Sequence, residues 1–540
     1  MAMNHLSRHM VYGCRGMICS NSPLAASAGL KALQEGGNAF DAALAVAATE
    51  AVTIVPACGL GGDAFMLLYD AATSNITGVN SSGVAATGAT AAYYRERGYQ
   101  TMPLEGPHAV SVPGEVAAWE VVHRRFCTKP FAQLLDSAIG YAEDGFPLPP
   151  GIARSFGSNA AKLSQFPSTA SALLQAGAPP KEGDILVNRD LARTLRSVAE
   201  GGADEFYRGA LARKLVQGLR AGGGLFTEAD FAGHQAEVYE PIATTYRAHT
   251  VYQTRPPSQG FLLLAMLNLL EGFDLAALGQ NSATAIHLMV EAKKIAYADR
   301  NRLAGDPRVV DWPLAELISK AYADERRRDI QRDRVNTGLQ QPVEVDGDTS
   351  YFCVADGAGN CVSWIHSLSN AFGSGYIAEG TGVLFNNRAG RGFSLMPGHP
   401  NMIAPGKRTM HTLNCYLAMK DGLPVIIGGT PGGDFQPQCG LQILTDLIDF
   451  GMDPQAAVEA PRWWSFPGTD PATIERDMEL RLEAEMPAAT VYALKAMGHR
   501  VVGRRPGVYD GKVQLIIRDP QRGILMGASD PRGDGEAVAF

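Results

Sequence analysis

The stretch Asp346-Gly347-Asp348-Thr349-Ser350-Tyr351-Phe352 decides the fold, because the chain changes character at Thr349. A polar, charge-rich run from Arg326 to Asp348 precedes this threonine and has the composition of a loop open to scission. A predicted β-hairpin over residues 350–366 follows it. Threonine is an ordinary β-former at such a position. If cleavage makes it N-terminal, however, its α-amine can act as the general base for its own hydroxyl. The position of Thr349 therefore favours a nucleophile uncovered by chain cleavage.

The residues on either side of this stretch predict a mixed α and β architecture. Upstream, two predicted helices, residues 23–35 and 41–52, lead through the glycine turn 59–63 into a predicted strand, 64–69. The middle of the chain, residues 150–300, has a largely helical pattern. The predicted strands of the C-terminal part are residues 350–355, 361–366, 382–387, 413–419, 424–428, 500–502, 513–518 and 524–528. We expect an α+β fold in which two sheets pack together and helices cover their outer faces.

Composition argues against several classes of protein. The 540 residues carry a net charge of −8 and a sequence pI near 5.8, without the basic stripe that nucleic-acid binding needs. No apolar run is long enough to span a membrane, and residues 1–20 lack the apolar core of a secretion signal, which predicts a cytoplasmic protein. The eight cysteines are scattered without a C-x-x-C pair, as is typical of reduced thiols. His287 and Glu291 lack further ligand residues with suitable spacing, so the sequence predicts no metal and no cofactor.

Short segments along nearly the whole chain resemble the γ-glutamyltransferase family of N-terminal nucleophile (Ntn) hydrolases. In family order they are Glu35–Ala43, Gly59–Met66, Asp348-Thr349, Asp356–Val362, Phe372–Gly375, Asn386-Asn387, Pro431–Asp434, Ala460–Arg462 and Ala528–Arg532. Each segment alone is weak evidence, whereas their common order and spacing is a strong signal. The runs Val362–Ser367 and Phe372–Gly375 resemble the amidohydrolase-like branch, which includes oxamate amidohydrolases and cephalosporin-acylase-like members, more than the transpeptidases.

The resemblance implies a four-layer αββα sandwich made as an inactive precursor. The precursor is expected to cut itself between Asp348 and Thr349 into a large subunit, residues 1–348, and a small subunit, residues 349–540. The two subunits would stay together as a heterodimer, and a dimer of such heterodimers is left open. The resemblance also assigns roles: Thr349 attacks the substrate amide, Ser367 stands where the family has a threonine that orients the nucleophile, and the N–H groups of Gly432 and Gly433 form the oxyanion hole.

The chain departs from the family at the residues that bind the γ-glutamyl group. In the family an arginine and two adjacent serines hold the substrate α-carboxylate, and these positions fall here on Ser82 and on His411-Thr412. The acidic residue that holds the α-amino group is absent, because Asn387 is followed by Arg388. An arginine repels an ammonium group, so we expect that the γ-glutamyl group is not the preferred acyl donor.

These departures lead to a substrate hypothesis. Arg388, with His411 and Thr412, is predicted to clamp a small carboxylate beside the scissile amide, since arginine suits bidentate carboxylate binding. Asn387 and Ser369, which matches a glutamyl-contacting asparagine of the family, complete the predicted substrate site. Other roles stay open: an ion pair at the surface or between subunits for Arg388, and a place in the core for His411. The predicted function is hydrolysis of a small, carboxylate-bearing, oxamate-like amide through an acyl-enzyme.

Four other functions are compatible with parts of the sequence. A γ-glutamyl hydrolase or transpeptidase acting on glutathione-like substrates would turn over a γ-glutamyl anilide. A cephalosporin-type acylase is a second alternative. A non-enzymatic binding protein that has lost maturation would remain a single uncut chain. A nucleotide-binding enzyme would have to use Gly59–Gly62, but this run lacks both G-x-G-x-x-G and the P-loop lysine.

Overall fold

The computed structural model describes residues 8–303, 305–337, 348–466, 478–504 and 511–540. Residues 338–347 of the charge-rich run before Thr349 lie outside this part of the chain. Asp348 and Thr349 lie at the start of a strand, so the predicted cleavage site falls where a loop enters a sheet.

Nineteen strands occur among the described residues. In chain order they are β1 Val11–Gly13, β2 Gly16–Ser20, β3 Asp63–Asp70, β4 Asn75–Ser81, β5 Phe146–Pro147, β6 Ile185–Leu186, β7 Glu237–Tyr239, β8 Ile242–Tyr246, β9 His249–Gln253, β10 Asp348–Asp356, β11 Cys361–Ser369, β12 Tyr416–Lys420, β13 Leu423–Gly429, β14 Trp463–Phe466, β15 Glu479–Glu483, β16 Val501–Arg504, β17 Gln514–Asp519, β18 Ile524–Ser529 and β19 Glu536–Ala539. Sheet A has the order β1-β18-β17-β13-β12-β9-β8, and sheet B has the order β19-β2-β10-β11-β3-β4-β7. Strands β14–β16 and the pair β5–β6 form two smaller sheets.

Twenty α-helices surround the sheets within the described ranges. They are α1 Pro23–Gln34, α2 Ala39–Thr53, α3 Ala91–Glu96, α4 Glu115–Phe126, α5 Phe131–Asp144, α6 Pro150–Ser158, α7 Ala160–Leu163, α8 Pro167–Leu173, α9 Arg189–Tyr207, α10 Ala210–Ala221, α11 Glu228–Ala232, α12 Phe261–Leu270, α13 Leu275–Leu278, α14 Ala283–Leu303, α15 Leu314–Leu317, α16 Lys320–Arg326, α17 Arg388–Gly392, α18 Phe435–Ile448, α19 Pro454–Glu459 and α20 Ala488–Ala496. None of them combines the length and apolar character that crossing a bilayer requires.

Three apolar clusters hold these elements together. One contains side chains of both large sheets, among them Phe65, Tyr351, Leu417 and Ile516, and so lies between the sheets. A second joins the other face of sheet B to helices such as α2, α5 and α9. The third joins sheet A to α12, α14 and α18. Burial of this apolar surface is the main favourable term in folding, and it fixes the strand that carries Thr349 from both sides.

Strand β10, which carries Thr349, lies inside sheet B. Its neighbours in sheet B are β2 on one side and β11 on the other, both antiparallel to it. All residues of β11 and β2 are buried, as expected for strands covered on both faces. The pairing of β10 with β11 is irregular between Asp348 and Ser350, a bulge that falls at Thr349. Bulges of this kind re-aim a side chain, and they are common beside active sites.

The structure corrects two expectations about secondary structure. Residues 382–387 are not a strand: the apolar run is buried, but it makes only isolated bridges, Gly61 with Phe385 and Ile377 with Leu384. Its backbone groups bond to loops instead, and the N–H of Asn386 donates to the carbonyl oxygen of Gly61 at 2.9 Å. The middle of the chain is less helical than predicted, because strands β7, β8 and β9 occupy residues 237–253.

Candidate active site

The hydroxyl of Thr349 meets the hydroxyl of Ser367 across two adjacent strands. Thr349 Oγ1 donates to Ser367 Oγ at 3.2 Å, and the backbone N–H of Ser369 donates to the same Oγ at 2.7 Å. Thr349 is 4 % exposed and Ser367 is fully buried. Ser369, whose N–H makes this second contact, has a φ of 89°, a conformation that L-residues rarely adopt. The predicted nucleophile and its predicted orienting hydroxyl are therefore together.

Thr349 lines a small cleft. The other lining residues are Asn21, Ile54, Pro56, Ala57, Gly151, Ile152, Ser155, Lys512 and Asp534. Asn21 is fixed from both ends, since its Nδ2 donates to the carbonyl oxygen of Tyr351 and its Oδ1 accepts from Gln514, each at 3.1 Å. The cleft thus combines an apolar wall, the hydroxyl of Thr349 and a few polar groups, the usual composition of a small-molecule site.

Gly432 and Gly433 form a turn with a conformation that favours glycine. Their φ angles are 124° and 55°. The carbonyl oxygen of Gly433 accepts from Gln259 Nε2 at 3.0 Å, which fixes the orientation of the turn. Within the described ranges, no acceptor faces the N–H of either glycine. Two such N–H groups on a rigid turn are suited to binding an oxyanion.

Arg388 and His411 meet at a buried carboxylate, Asp63. Arg388 Nε and His411 Nε2 both contact Asp63 Oδ2, at 3.2 and 3.0 Å, while the N–H of Gly83 donates to Oδ1 at 3.1 Å. Burial opposes ionisation of Asp63, but the hydrogen bond from His411 and the charge of Arg388 outweigh it and hold the pKa of Asp63 below its usual range. These two members of the predicted clamp therefore share an internal anion.

Protonation in this group follows from burial and charge. Burial, followed by the repulsive charge of Arg388, lowers the pKa of His411 to about 4, so the ring is neutral at pH 7. Its Nδ1 accepts from the N–H of Leu413 at 3.3 Å, which assigns the proton to Nε2, the atom that faces Asp63. Burial also lowers the pKa of Arg388 to about 10, and the guanidinium stays charged. Its Nη2 has no hydrogen-bond partner within the described residues.

The remaining predicted substrate residues have mainly structural contacts. Asn387 Nδ2 donates to the carbonyl oxygen of Leu104 and its Oδ1 accepts from the N–H of Asn370. Ser82 is buried and bonds to Asn80. The hydroxyls of Ser369 and Thr412 are buried without a partner in the described chain. These residues lie near Asp63 or near the C-terminal end of β11. None of them lines the cleft at Thr349.

Sequence reasoning missed a second buried charged cluster next to the nucleophile strand. His366 lies between two glutamates, with Nδ1 at 2.9 Å from Glu115 Oε1 and Nε2 at 2.8 Å from Glu50 Oε2. Burial lowers the pKa of His366, but the neighbouring Cys58 and Glu115 raise it well above its ordinary value. Burial raises the pKa of the Cys58 thiol to about 12, so we assign the stabilising charge to the carboxylates. The signal available in the sequence was Glu50, an ionisable residue in the apolar helix α2.

This cluster also contains atoms that could ligate a metal ion. Ligand atoms of Glu50, Cys58 and His366 lie within 4.8 Å of one another, the one such group of three in the described part of the chain. Both ring nitrogens of His366 already contact carboxylates. Internal ion pairing therefore accounts for the cluster, which joins α2 and α4 to strand β11.

The sequence and the fold of this chain are similar to those of known proteins. The model of the gamma-glutamyltranspeptidase family matches residues 25–540. The glutathione hydrolase-like YwrD proenzyme of Bacillus subtilis is 38% identical, over 98% of this chain and 99% of that protein. The oxamate amidohydrolase proenzyme of Klebsiella pneumoniae is 34% identical, over 97% of this chain and 98% of that protein. The crystal structure of cephalosporin acylase from Bacillus halodurans superposes with a TM-score of 0.92 at 34% identity, covering 100% of this chain and 98% of that chain. The chain is accordingly an Ntn hydrolase that belongs to the gamma-glutamyltranspeptidase family.

Proposed function

We propose that the protein hydrolyses the amide bond of a small, carboxylate-bearing substrate, with Thr349 as the nucleophile. The observation that carries this proposal is the contact of 3.2 Å between Thr349 Oγ1 and Ser367 Oγ at the wall of a cleft. A weak alcohol nucleophile needs a neighbouring group that orients it and a base that takes its proton. Ser367 supplies the first of these, and the α-amine released by cleavage supplies the second.

Maturation would divide the chain between Asp348 and Thr349 into subunits 1–348 and 349–540. Sheet B explains why such a cut need not separate them, because β10 and β11 of the small subunit lie between β2 and β3 of the large subunit. We infer that the two subunits stay associated as one αββα sandwich. A dimer of these heterodimers and a cytoplasmic location remain predictions.

Turnover then follows a balanced acyl-transfer scheme. Thr349 Oγ1 forms an ester with the substrate carbonyl carbon, and its proton passes through the α-amine to the departing nitrogen as the C–N bond breaks. The N–H groups of Gly432 and Gly433 stabilise the oxyanion of each tetrahedral intermediate. Water, deprotonated by the same amine, then attacks the ester, releasing a carboxylic acid and restoring the hydroxyl.

The substrate class is supported by residue identities and by relatives. Arg388 occupies the place after Asn387 where the family pattern has an acidic residue for the α-amino group, so a γ-glutamyl donor would lack the counter-ion of its ammonium. The Klebsiella relative is named for oxamate, the smallest amide that carries a carboxylate. The Bacillus relative named as glutathione hydrolase-like keeps γ-glutamyl hydrolysis as the second candidate.

Intact-mass analysis followed by substrate assays tests the proposal. Purified protein is expected to show two chains divided at Thr349, and to release ammonia from oxamate faster than the aniline from a γ-glutamyl anilide. Thr349→Ala should stop both self-cleavage and turnover, whereas Thr349→Ser, which keeps a hydroxyl, should retain both at reduced rates. An active preparation that is still uncut would contradict the mechanism. Preference for the γ-glutamyl anilide would contradict the substrate class alone.

A further inference from the structure

Among the described residues that line the cleft at Thr349, Lys512 is the one cation. Its half-buried side chain lines the same wall as the nucleophile. Within the part of the chain that the structure describes, Lys512 Nζ has no hydrogen bond or ion pair; the hydrogen bond of this residue is made by its backbone N–H, which donates to Thr430 Oγ1 at 3.0 Å. A lysine ammonium is a compact charge with three donors, so this one is available to a ligand.

The position of Lys512 is fixed by its backbone and its aliphatic stem. The hydrogen bond to Thr430 ties it to the loop that carries Gly432 and Gly433, the predicted oxyanion hole. The stem packs on Gly533, where an added Cβ would lie 2.9 Å from Lys512 Cδ. A lysine held along its stem loses less side-chain entropy when its ammonium binds an anion. Lys512 therefore presents a positioned charge beside the oxyanion loop.

Two other polar residues of the cleft, Asn21 and Asp534, already have hydrogen-bond partners. Asn21 bonds to Tyr351 and Gln514, and Asp534 Oδ2 accepts from the N–H of Gly151 at 3.0 Å. Outside the cleft, Arg388 spends its Nε on the buried Asp63. Among these groups, Lys512 is the cation that shares a cavity with Thr349.

We propose that Lys512 is the specificity-determining residue that selects a carboxylate on the acyl part of the substrate. This inference rests on the proposed amide hydrolysis and assigns its anion recognition to the cleft, in place of Arg388. Substrates would be short amides whose carboxylate lies close to the scissile carbonyl, since Thr349 and Lys512 line the same small cleft. Asp534 would contact a substrate only if the acyl part also carried an ammonium group.

A matched pair of substrates isolates the charge. Oxamate and its neutral counterpart oxamide differ only in carboxylate against carboxamide. We expect Lys512→Met to lower the ratio of kcat/KM for oxamate over oxamide by about tenfold or more, mainly through KM for oxamate. Lys512→Arg should keep most of the ratio because it keeps the charge. Lys31→Met, which removes an exposed lysine of α1, is the control and should leave the ratio as it is.

Calorimetric binding of oxamate to the mature protein gives a second readout that does not need turnover. Weaker binding to Lys512→Met than to the wild type supports the inference, even if no amide is hydrolysed. An unchanged ratio and unchanged binding in Lys512→Met overturn it, as does a selective rise of KM for oxamate in Arg388→Met, which would establish the clamp instead. Hydrolysis of oxamide by a cleaved protein that neither binds nor hydrolyses oxamate overturns the inference and leaves Thr349 catalysis intact. An uncut protein with no amidase activity refutes the proposed function itself.

Discussion

Replacing Asp63 by asparagine tests whether Arg388 and His411 belong to the core. Asp63 is fully buried, and its Oδ2 is the acceptor for both Arg388 Nε and His411 Nε2. In Asp63→Asn, Oδ1 can still accept from the N–H of Gly83, but an amide NH2 then faces two donors. Turning the amide restores the contacts to Arg388 and His411 but makes its NH2 group face the N–H of Gly83, which is then unpaired. Every arrangement leaves at least one buried donor unsatisfied beside an uncompensated guanidinium that is 2 % exposed.

The magnitude follows from these losses. An orphaned buried donor costs about 1–3 kcal/mol, and removing one partner of a buried ion pair costs about 3–5 kcal/mol in total. We therefore expect Asp63→Asn to lower the free energy of unfolding by about 3–5 kcal/mol at pH 7. Because the folded pKa of Asp63 lies below its ordinary value, the contribution is present above the unfolded pKa and lost as the pH falls through the folded pKa. The difference between variant and wild type should therefore shrink below about pH 4.

Urea titration in a Thr349→Ala background, where the chain is expected to stay uncut, measures this quantity. The matched control is the double variant Asp63→Asn with Arg388→Met, which removes the stranded charge along with its partner. It should be more stable than the sum of the single changes predicts, with a coupling energy of about 1–3 kcal/mol. A loss below about 1 kcal/mol in Asp63→Asn, or strict additivity in the double variant, would refute the reasoning.

Three further predictions concern the residues around the nucleophile. Ser367→Ala should slow self-cleavage and turnover by about 10²-fold, because Thr349 loses the hydroxyl that orients it, whereas Ser367→Thr should retain both activities. A cleavage time course on gels measures the first rate, and wild-type cleavage by Ser367→Ala would contradict the orienting role. The Cβ added by Gly432→Ala would meet no atom closer than 3.5 Å, but the alanine would have to adopt a φ of 124°, a strain of about 1–3 kcal/mol. Steady-state kinetics should therefore show a lower kcat, and an unaltered kcat would count against the oxyanion role. Because the folded pKa of His366 lies above its ordinary value, its stabilising charge is fully present below about pH 6.5 and is lost as the pH rises through the folded pKa. Melting temperatures of the wild type at pH 6 and pH 9 should show this loss, and His366→Gln should lack that part of it; equal slopes would argue against a charged histidine.

Much of the fold could be predicted because local sequence and final structure agree. The predicted helices 23–35 and 41–52 became Pro23–Gln34 and Ala39–Thr53, each with a serine or asparagine cap that closes its first turn. The hairpin after Thr349 formed as predicted, since alternating β-formers around a glycine turn have few other ways to bury their side chains. The prediction of a strand at residues 382–387 was wrong, because an apolar run indicates that a segment is buried but not that it pairs with another strand.

The charged groups of the core were harder to predict, because their partners lie far apart in sequence. His366 lies more than 250 positions from each of its partners, Glu50 and Glu115. They meet it only when α2 and α4 pack on sheet B. A lone ionisable residue on an apolar helix predicts that some partner exists without saying which one. Asp63 was visible in the segment Gly59–Met66, but its role depends on two residues that only the tertiary structure brings to it.

The departures of this chain from its family are better understood as one change than as several. The position after Asn387 and the position of the family's serine pair are occupied by Arg388 and His411, and both side chains contact Asp63 Oδ2. Changing either Arg388 or His411 back to the family residue would leave the fully buried Asp63 with fewer donors. The three residues therefore depend on one another for stability. Residues that would contact a γ-glutamyl group have thereby become part of the core. Under the proposed function, anion recognition falls to the cleft, where Lys512 and Thr349 share one wall.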